Sequence, residues 1–246
     1  MKICAAQTKP FKGDIEKNIE THKRLIELAV DQDADIIVFP ELSITGYEPE
    51  LAKDLATNKD DSRLNVFQAI SHQEQIIITV GMPIKSDAGI LIGMIIFQPT
   101  VPRQLYCKQH LHADEIPYFI PGDKQVYLET GKSKIAFSIC YELSVPAHAS
   151  NVYKDGATIY LSSVAKTVEG VAKAVNTLSG MAKQYSMMAI MSNCVGHCDN
   201  FDCAGKSTAW NDKGELIGQL DDSGEGILVV DTVTGHVFLK TILQFA

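Results

Sequence analysis

The sequence predicts an α/β protein with a mixed β-sheet. Short runs rich in β-branched residues alternate with segments of helical apolar spacing through most of the chain. The turn sequence Asn211-Asp212-Lys213-Gly214 then separates two further strand-like runs, as in a hairpin. Alternating strands and helices favour parallel pairing and hairpins add antiparallel strands, so the expected sheet is mixed.

The first half of the chain supplies one clear helix and several strands. Residues 14–31 have apolar side chains at helical spacing, and Asp14 is suited to cap the helix N-terminus. Residues 35–40 form a continuous apolar run, as expected for a strand buried on both faces. Further strands are predicted at 75–80, 90–97 and 105–107.

The second half of the chain continues the alternation. A strand is predicted at 134–139, and a helix follows from about Ser144 to Lys154 with Pro146 in its first turn. A strand at 158–161, a helix at 169–186 and a strand at 187–193 come next. Because no linker-like stretch interrupts the pattern, we expect a single domain over residues 1–246.

Charge and hydropathy exclude some classes of partner. The net charge of −8 disfavours nucleic acid, because phosphate binding needs a basic face. The longest apolar stretch, residues 89–97, is about half of the ~20 residues that span a bilayer, so no membrane partner is expected. The N-terminus lacks an apolar signal core, which favours a cytoplasmic protein whose six cysteines are reduced thiols.

Three polar residues share one context in this pattern. Glu41, Lys108 and Cys140 each come just after the carboxyl end of a predicted strand. In α/β sheets, ligands and catalytic groups gather at this edge. The trio is therefore a candidate active site.

The chemistry of the trio fits nucleophilic catalysis by Cys140. A free thiol has a pKa of about 8.5, so it needs a neighbouring base, a cation or a helix N-terminus to react at neutral pH. Glu41 is suited to take the thiol proton and Lys108 to hold charge on a tetrahedral intermediate. His110 and His112 are alternative bases, and residue chemistry alone leaves both choices open.

Three motifs resemble the nitrilase superfamily, also called the carbon–nitrogen hydrolases. They are FPELSITGY at 39–47, KQHL at 108–111 and SICYEL at 138–143, in the family's order. The resemblance covers essentially the whole chain. It implies that Glu41 is the general base, Lys108 the oxyanion stabiliser and Cys140 the nucleophile.

The resemblance also implies a fold and further site residues. The family has a four-layer α-β-β-α sandwich, usually dimerised through helices, so a homodimer or higher homo-oligomer is expected. Glu115 is the best match to the family's second glutamate, and the backbone N–H of Tyr141 joins Lys108 at the oxyanion. The family's acyl transfer through a thioester uses no organic cofactor and no metal, and neither is expected here.

A cysteine-rich stretch is the candidate for the rim of the pocket. By resemblance, Asn193, Cys194 and His197 belong to a late loop that approaches the substrate, as does Tyr47 of the first motif. The stretch Cys194-x2-His197-Cys198-x4-Cys203 also has the residue types of a zinc site, although the spacing is awkward for one tetrahedral ion. A substrate-lining loop, a zinc site and plain packing all remain open.

The expected function is hydrolysis of a non-peptide carbon–nitrogen bond. The resemblance favours a small amide or N-carbamoyl substrate and release of ammonia or an amine, with nitrile hydrolysis as the alternative reaction. A non-catalytic small-molecule-binding protein on the same fold is the alternative class, although such a protein would lack a member of the trio. A thiol redox protein would carry a Cys-x-x-Cys pair, which this sequence does not contain.

Overall fold

The computed structural model describes residues 1–131 and 133–242, and this part contains five α-helices and fifteen strands. The helices are α1 (Ile15–Val30), α2 (Ala52–Leu55), α3 (Asn65–Glu74), α4 (Pro146–Lys154) and α5 (Val168–Tyr185). The strands are β1 (Lys2–Gln7), β2 (Ile36–Val38), β3 (Ile77–Lys85), β4 (Ile90–Phe97), β5 (Gln104–Cys107), β6 (Tyr127–Thr130), β7 (Ser133–Ile139), β8 (Ile159–Val164), β9 (Met188–Asn193), β10 (Val195–Cys198), β11 (Phe201–Ala204), β12 (Thr208–Trp210), β13 (Leu216–Gln219), β14 (Glu225–Asp231) and β15 (Val237–Ile242). The single domain predicted for 1–246 includes residues 132 and 243–246, which lie outside the described residues.

Two mixed sheets form the centre of the fold. The seven-stranded sheet has the order β15-β14-β1-β2-β3-β4-β5, and the six-stranded sheet has the order β13-β12-β9-β8-β7-β6. Each contains three adjacent parallel strands, β1-β2-β3 in one and β7-β8-β9 in the other, flanked by antiparallel strands. The expected mixed sheet is therefore confirmed, and there are two of them.

Alternation of side chains along the strands creates the layers. In β2, Ile36 and Val38 face a core shared with the other sheet, whereas Ile37 packs with Leu25 of α1 and Phe67 of α3. Burial on both faces explains why this run is continuously apolar. The outer side of the seven-stranded sheet is thus covered by helices and its inner side by the second sheet.

The six-stranded sheet has the same arrangement. Phe137 of β7 points into the core between the sheets, whereas its neighbour Ala136 packs in a separate core with Val152 of α4 and Leu178 of α5. The order of layers is therefore helix, sheet, sheet, helix. The four-layer α-β-β-α sandwich is confirmed.

Most predicted elements are confirmed at nearly their predicted bounds. The helix predicted at 14–31 is α1, and the carboxylate of Asp14 accepts a hydrogen bond from the backbone N–H of Lys17 at 3.1 Å, as an N-cap does. No element is predicted between residues 41 and 74, where α2 and α3 lie. In α3 only Phe67 and Ser71 are buried, so its apolar periodicity is too weak to mark a helix.

The helix predicted to begin at Ser144 begins two residues later. Cys140–Ser144 forms a 3-10 turn, and α4 starts at Pro146. Val145 between them is extended, with φ −99° and ψ 103°, because the ring of a following proline disfavours the helical conformation. The predicted start was therefore wrong, and Cys140 lies at the head of a short 3-10 turn.

None of the helices in residues 1–131 and 133–242 combines the length and the hydropathy that crossing a bilayer requires.

Candidate active site

Glu41, Lys108 and Cys140 come together at one edge of the sandwich. They follow β2, β5 and β7. Strand β5 is antiparallel to β4, which is antiparallel to β3, so β5 has the direction of β2 and its carboxyl end lies at the same edge. The two sheets are joined there by a 2.8 Å hydrogen bond from the Ser163 hydroxyl to the carbonyl oxygen of Phe39.

The turn that carries Glu41 packs closely on a neighbouring strand. A side chain at Gly81 of β3 would place its Cβ 2.4 Å from the backbone nitrogen of Leu42. Any residue larger than glycine would therefore push the turn away from the sheet. Leu42 itself has a φ of +50°, which is uncommon for a residue other than glycine and marks a tightly constrained turn.

Lys108 joins two buried carboxylates. Its Nζ donates hydrogen bonds to Oε1 of Glu41 at 2.7 Å and to Oε1 of Glu115 at 2.5 Å. The side chains of Lys108 and Glu41 have no exposed surface, and that of Glu115 is 1% exposed. The structure thus brings the predicted second glutamate into the same cluster as the predicted base and lysine.

Two further groups hold Glu115 in place. The hydroxyl of Tyr47 donates to its Oε1 at 3.0 Å, and the backbone N–H of His112 donates to its Oε2 at 2.7 Å. These bonds use both oxygens of Glu115. In contrast, Oε2 of Glu41 is buried and has no hydrogen-bond partner in the described chain. Glu41 therefore keeps one oxygen free to accept a proton from another group.

Burial raises the pKa of Glu41 to about 7. The positive charge of Lys108 opposes this shift, the negative charge of Glu115 adds to it, and the Cys140 thiol opposes it slightly. Two carboxylates share one ammonium group in a buried site, so the charged form of Glu41 is disfavoured. Burial alone would lower the pKa of Lys108, but the negative charges around it raise that pKa, which keeps the lysine cationic.

Cys140 has an unusual backbone conformation. Its φ is +45°, in the left-handed region that residues other than glycine rarely adopt. Burial and the negative charge of Glu41 raise the pKa of the thiol to about 11, while Lys166 and Lys108 lower it. Cys140 is therefore a thiol at neutral pH, and it needs a proton acceptor before it can act as a nucleophile.

A third buried carboxylate, Glu142, ties the turn of Cys140 to the loop of Lys108. Its Oε2 accepts hydrogen bonds from the N–H of Ile139 at 2.7 Å and the hydroxyl of Tyr106 at 2.6 Å. Its Oε1 accepts from the N–H of Gln109 at 2.5 Å. No role for Glu142 is predicted from the sequence. Its position three residues after Ile139, the residue before the 3-10 turn, is nevertheless the spacing of a capping box.

A cavity of about 390 Å³ opens beside Cys140, a size suited to a small molecule. Among the predicted residues it is lined by Tyr47, Glu115, Cys140 and Tyr141. The side chain of Tyr141 is 37% exposed.

The other predicted pocket residues lie outside this lining. Asn193 and Cys194 are buried, with 0% and 1% exposure, and the side chain of His197 is 71% exposed and pairs with Asp202. Asn193 acts on the cavity indirectly, because its Oδ1 accepts a 2.9 Å hydrogen bond from the backbone N–H of Lys166. Their direct contact with substrate stays a prediction.

Two cationic residues of the cavity were missed from the sequence. Lys166 and Lys173 line the cavity, and neither has a salt-bridge partner among the described residues. Lys166 follows β8, so it also lies past the carboxyl end of a strand, where functional groups gather in α/β sheets. That signal could have identified it from the sequence. Lys173 is on α5, and its position in the pocket depends on tertiary packing that no local pattern reveals.

The alternative bases are not part of the buried cluster. His110 packs its ring 6.1 Å from that of His148 and does not line the cavity. His112 lines the cavity, but its side chain is 57% exposed and its Nδ1 lies 2.5 Å from Asp114. Neither histidine has the free, buried acceptor atom that Glu41 has.

Comparison with protein families gives a match over nearly the whole chain. Residues 2–237 match the family model described as carbon-nitrogen hydrolase. The chain is 26% identical over 240 residues to the glutamine-dependent NAD(+) synthetase of Thermotoga maritima, covering 94% of this chain and 42% of that protein. The chain thus spans less than half the length of that relative.

Shorter relatives and solved structures agree with that match. A nitrilase of Pyrococcus abyssi is 24% identical over 246 residues, covering 94% of this chain and 89% of that protein. A mutant of the amidase from Nesterenkonia sp. AN1, solved in complex with butyramide, superposes with a TM-score of 0.86 at 20% identity. That superposition covers 94% of this chain and 90% of the amidase, and it shows that the two share a fold.

Proposed function

The chain belongs to the carbon–nitrogen hydrolase family, and on that basis we propose that it hydrolyses small amides through a thioester on Cys140. The observation that carries the proposal is the buried Glu41–Lys108–Glu115 cluster beside the Cys140 cavity. Glu41 there has one free oxygen and a pKa of about 7. A group with such a pKa exchanges a proton efficiently at neutral pH in both directions.

The first half of the reaction forms the thioester. Glu41 accepts the thiol proton as the sulfur of Cys140 bonds to the amide carbon, and the carbonyl π pair moves onto oxygen. The backbone N–H of Tyr141 and the ammonium of Lys108 stabilise this oxyanion. The C–N bond then breaks, and the protonated Glu41 gives its proton to the departing nitrogen, so that ammonia leaves and an acyl-enzyme remains.

The second half returns the enzyme to its starting state. Glu41 accepts a proton from a water molecule as the water oxygen attacks the thioester carbon. The same oxyanion donors serve again, and collapse of the intermediate breaks the C–S bond. The sulfur recovers the proton from Glu41, so that one amide and one water become one carboxylic acid and one ammonia.

Two lysines without a salt-bridge partner among the described residues support an amide substrate that also carries a carboxylate. Lys166 and Lys173 line the cavity, and Lys166 lies close enough to Cys140 to lower the pKa of its thiol. Amides that also carry a carboxylate would place that group on the lysines and the amide at the thiol. Glutamine and ω-amides, which appear in the names of relatives, are compounds of this kind. N-carbamoyl amino acids have the same charge pattern and form the second class to test.

The deciding experiment is a substrate panel with two readouts. Ammonia release is measured for neutral amides, amides with a carboxylate, N-carbamoyl amino acids and nitriles. Intact-mass analysis of rapidly quenched reactions then looks for the acyl group on Cys140. Turnover of amides with an adduct on that peptide supports the proposal, whereas turnover by a Cys140→Ala variant excludes the thioester route.

We also propose that the chain forms a homodimer through its helical layer. Tyr153 of α4 is 49% exposed, and its ring packs 5.0 Å from that of Tyr185 at the end of α5. Val168 at the start of α5 is 65% exposed. Light scattering of the wild type and of a Tyr153→Glu variant tests this, because a charge in an apolar interface should shift the mass toward the monomer.

A further inference from the structure

Three cysteine sulfurs converge next to the candidate active site. Cys194 precedes the β10–β11 hairpin, and Cys198 and Cys203 lie on it. The three sulfurs are all within 4.8 Å of one another, with Cys194 2.7 Å from Cys203 and 3.9 Å from Cys198. The residues are 1%, 1% and 4% exposed. The free thiols of this cluster take no part in the reaction proposed above.

The register of the hairpin explains why the sulfurs meet. Cys203 pairs across the hairpin with Gly196, and Cys198 pairs with Phe201. The pair between them, His197 and Asp202, points to the other side, where both side chains are exposed. The hairpin therefore has an imidazole and a carboxylate on its solvent side, whereas the possible metal ligands on its buried side are thiols.

Three thiols in one apolar place match the ligand preferences of a particular group of metals. Thiolates are soft ligands that select Zn²⁺, Cu⁺ and related ions over Mg²⁺ or Ca²⁺, which need oxygen ligands. No other His, Cys, Asp or Glu in the described part of the chain joins the group. We propose that Cys194, Cys198 and Cys203 bind one thiophilic metal ion of the Zn²⁺ class, with a small exogenous ligand completing its coordination.

The site needs only a small adjustment to hold such an ion. Two sulfurs on one zinc, each at about 2.3 Å, are separated by roughly 3.8 Å in a tetrahedral geometry. The distance from Cys194 to Cys198 already has this value, whereas Cys194 and Cys203 must move apart by about 1 Å. Rotation about the side-chain bonds supplies this movement. The three thiol protons are released to solvent as the metal–sulfur bonds form.

The metal would fix one wall of the cavity. Cys198 pairs across the hairpin with Phe201, whose ring packs 5.7 Å from that of Tyr47. Tyr47 and Phe201 both line the cavity, and the Tyr47 hydroxyl holds Glu115. The ion would therefore brace the residues around the substrate without touching the reacting atoms, and its binding does not depend on the proposed reaction.

The test measures binding directly in the full-length chain. Protein purified with a reductant and stripped with a chelator is titrated with Zn²⁺ against a chromophoric competitor. We expect one equivalent to bind in the wild type and in the Cys140→Ser and Cys107→Ser controls. Cys194→Ala, Cys198→Ala and Cys203→Ala should each weaken binding by at least about 100-fold, since each removes one of the three sulfur ligands.

A second measurement needs no substitution. In the wild type, one equivalent of Zn²⁺ should protect the three cluster cysteines from alkylation under mild denaturant. The alkylation of Cys4 and Cys107 should not change on addition of Zn²⁺, and peptide mass measures both. Absence of stoichiometric binding would overturn the proposal. So would loss of binding in Cys140→Ser, which would place the ion at the active site. The proposal would also be overturned if the Cys194 and Cys203 peptides stayed joined under reductant with a combined mass two hydrogens lower, because that mass identifies a disulfide.

Discussion

The ammonium nitrogen of Lys108 lies 2.7 Å from Oε1 of Glu41 at a place where neither side chain reaches solvent. A buried ion pair is a poor source of stability, because desolvation of the two charges offsets most of their attraction. Here Glu115 adds a second carboxylate to the same ammonium group. The cluster therefore carries an excess negative charge in a dry place, which favours a role in proton transfer over a role in holding the fold.

Removing the cation should destabilise the protein strongly. Lys108→Met leaves Glu41 and Glu115 buried without their partner, which should cost about 3–5 kcal/mol of unfolding free energy at pH 8. The loss should be smaller at pH 5, because Glu41, whose pKa is raised to about 7 by burial, is then protonated and neutral. Urea unfolding at both pH values measures this, with the exposed Lys183→Met as the control. An equal loss at both pH values would show that packing, and not charge, is responsible.

Replacing the nucleophile should abolish turnover and leave the fold unchanged. Cys140→Ala should retain less than about 0.1% of the ammonia release, because no other group in the cavity can form the thioester. Cys107→Ala is the matched control, since it removes a thiol from strand β5 that does not line the cavity. Circular dichroism and thermal unfolding should be alike in the two variants. Activity in Cys140→Ala would assign the nucleophile elsewhere.

The acid–base assignment predicts a pH profile. Glu41 must be ionised to accept the thiol proton and its pKa is about 7, so kcat/KM should fall about tenfold per pH unit below pH 7. Because burial and Glu41 raise the pKa of Cys140 to about 11, no second change should come from the thiol between pH 7 and 10. Steady-state kinetics from pH 5 to 10 measures the profile. The same pH profile is expected for the His110→Ala and His112→Ala variants.

Alkylation reports the same coupling without a substrate. If Glu41 and Cys140 share a proton, the rate of Cys140 alkylation should rise in two steps with pH, the first near pH 7. In Glu41→Gln the first step should disappear and a single step remain. Peptide mass analysis over pH 5 to 12 follows Cys140 separately from Cys198 and includes the second step, which is expected near pH 11. A first step that persists in Glu41→Gln would mean that another group titrates beside the thiol.

The arrangement of the trio could be predicted from sequence because each member obeys a local rule. Glu41, Lys108 and Cys140 each come just after a predicted strand, and the family motifs fix their order. The layers follow from alternation within strands such as β2, which is apolar on both faces. The weakly amphipathic α3 and the delayed start of α4 escaped prediction, because tertiary packing and a proline decide them.

The convergence of the cysteines and the surroundings of the thiol could not be predicted in the same way. The spacing from Cys194 to Cys203 is compatible with a loop, a metal site or packing, and only the pairing of Cys203 with Gly196 puts the sulfurs together. Likewise, Glu142 looks like an ordinary surface carboxylate in the sequence. Its burial depends on three donors from a distant segment, including the hydroxyl of Tyr106, and on the N–H of nearby Ile139.

Glu142 should act as a positioning residue for Cys140. Glu142→Gln turns an acceptor into a donor facing backbone N–H groups, which should cost about 1–3 kcal/mol of stability. Displacement of the Cys140 turn by a fraction of an ångström should lower kcat by up to about 100-fold with little change in KM. The exposed Glu129→Gln is the control. A change in KM alone would point to a role in substrate binding.

Lys166 should select substrates with a carboxylate. Butyramide and succinamate have the same carbon chain length and differ in whether a methyl or a carboxylate lies opposite the amide. Lys166 lines the cavity and has no salt-bridge partner in residues 1–131 and 133–242, so a substrate carboxylate would be its partner. A hydrogen bond to a charged group contributes about 1.5–3 kcal/mol. The ratio of kcat/KM for succinamate to that for butyramide should therefore fall roughly 10- to 100-fold in Lys166→Met.

The ratio separates this role from an effect on the nucleophile. Lys166 lowers the pKa of the Cys140 thiol, so its loss should slow both substrates to some degree by raising that pKa. An effect through the thiol is common to the two compounds and cancels in the ratio, whereas recognition of the carboxylate does not. Lys183→Met, on the same helix as Lys173 but outside the cavity, should leave the ratio unchanged. If Lys166→Met slows the hydrolysis of butyramide and succinamate equally, the lysine acts only on the pKa of the thiol, and it does not bind a substrate carboxylate.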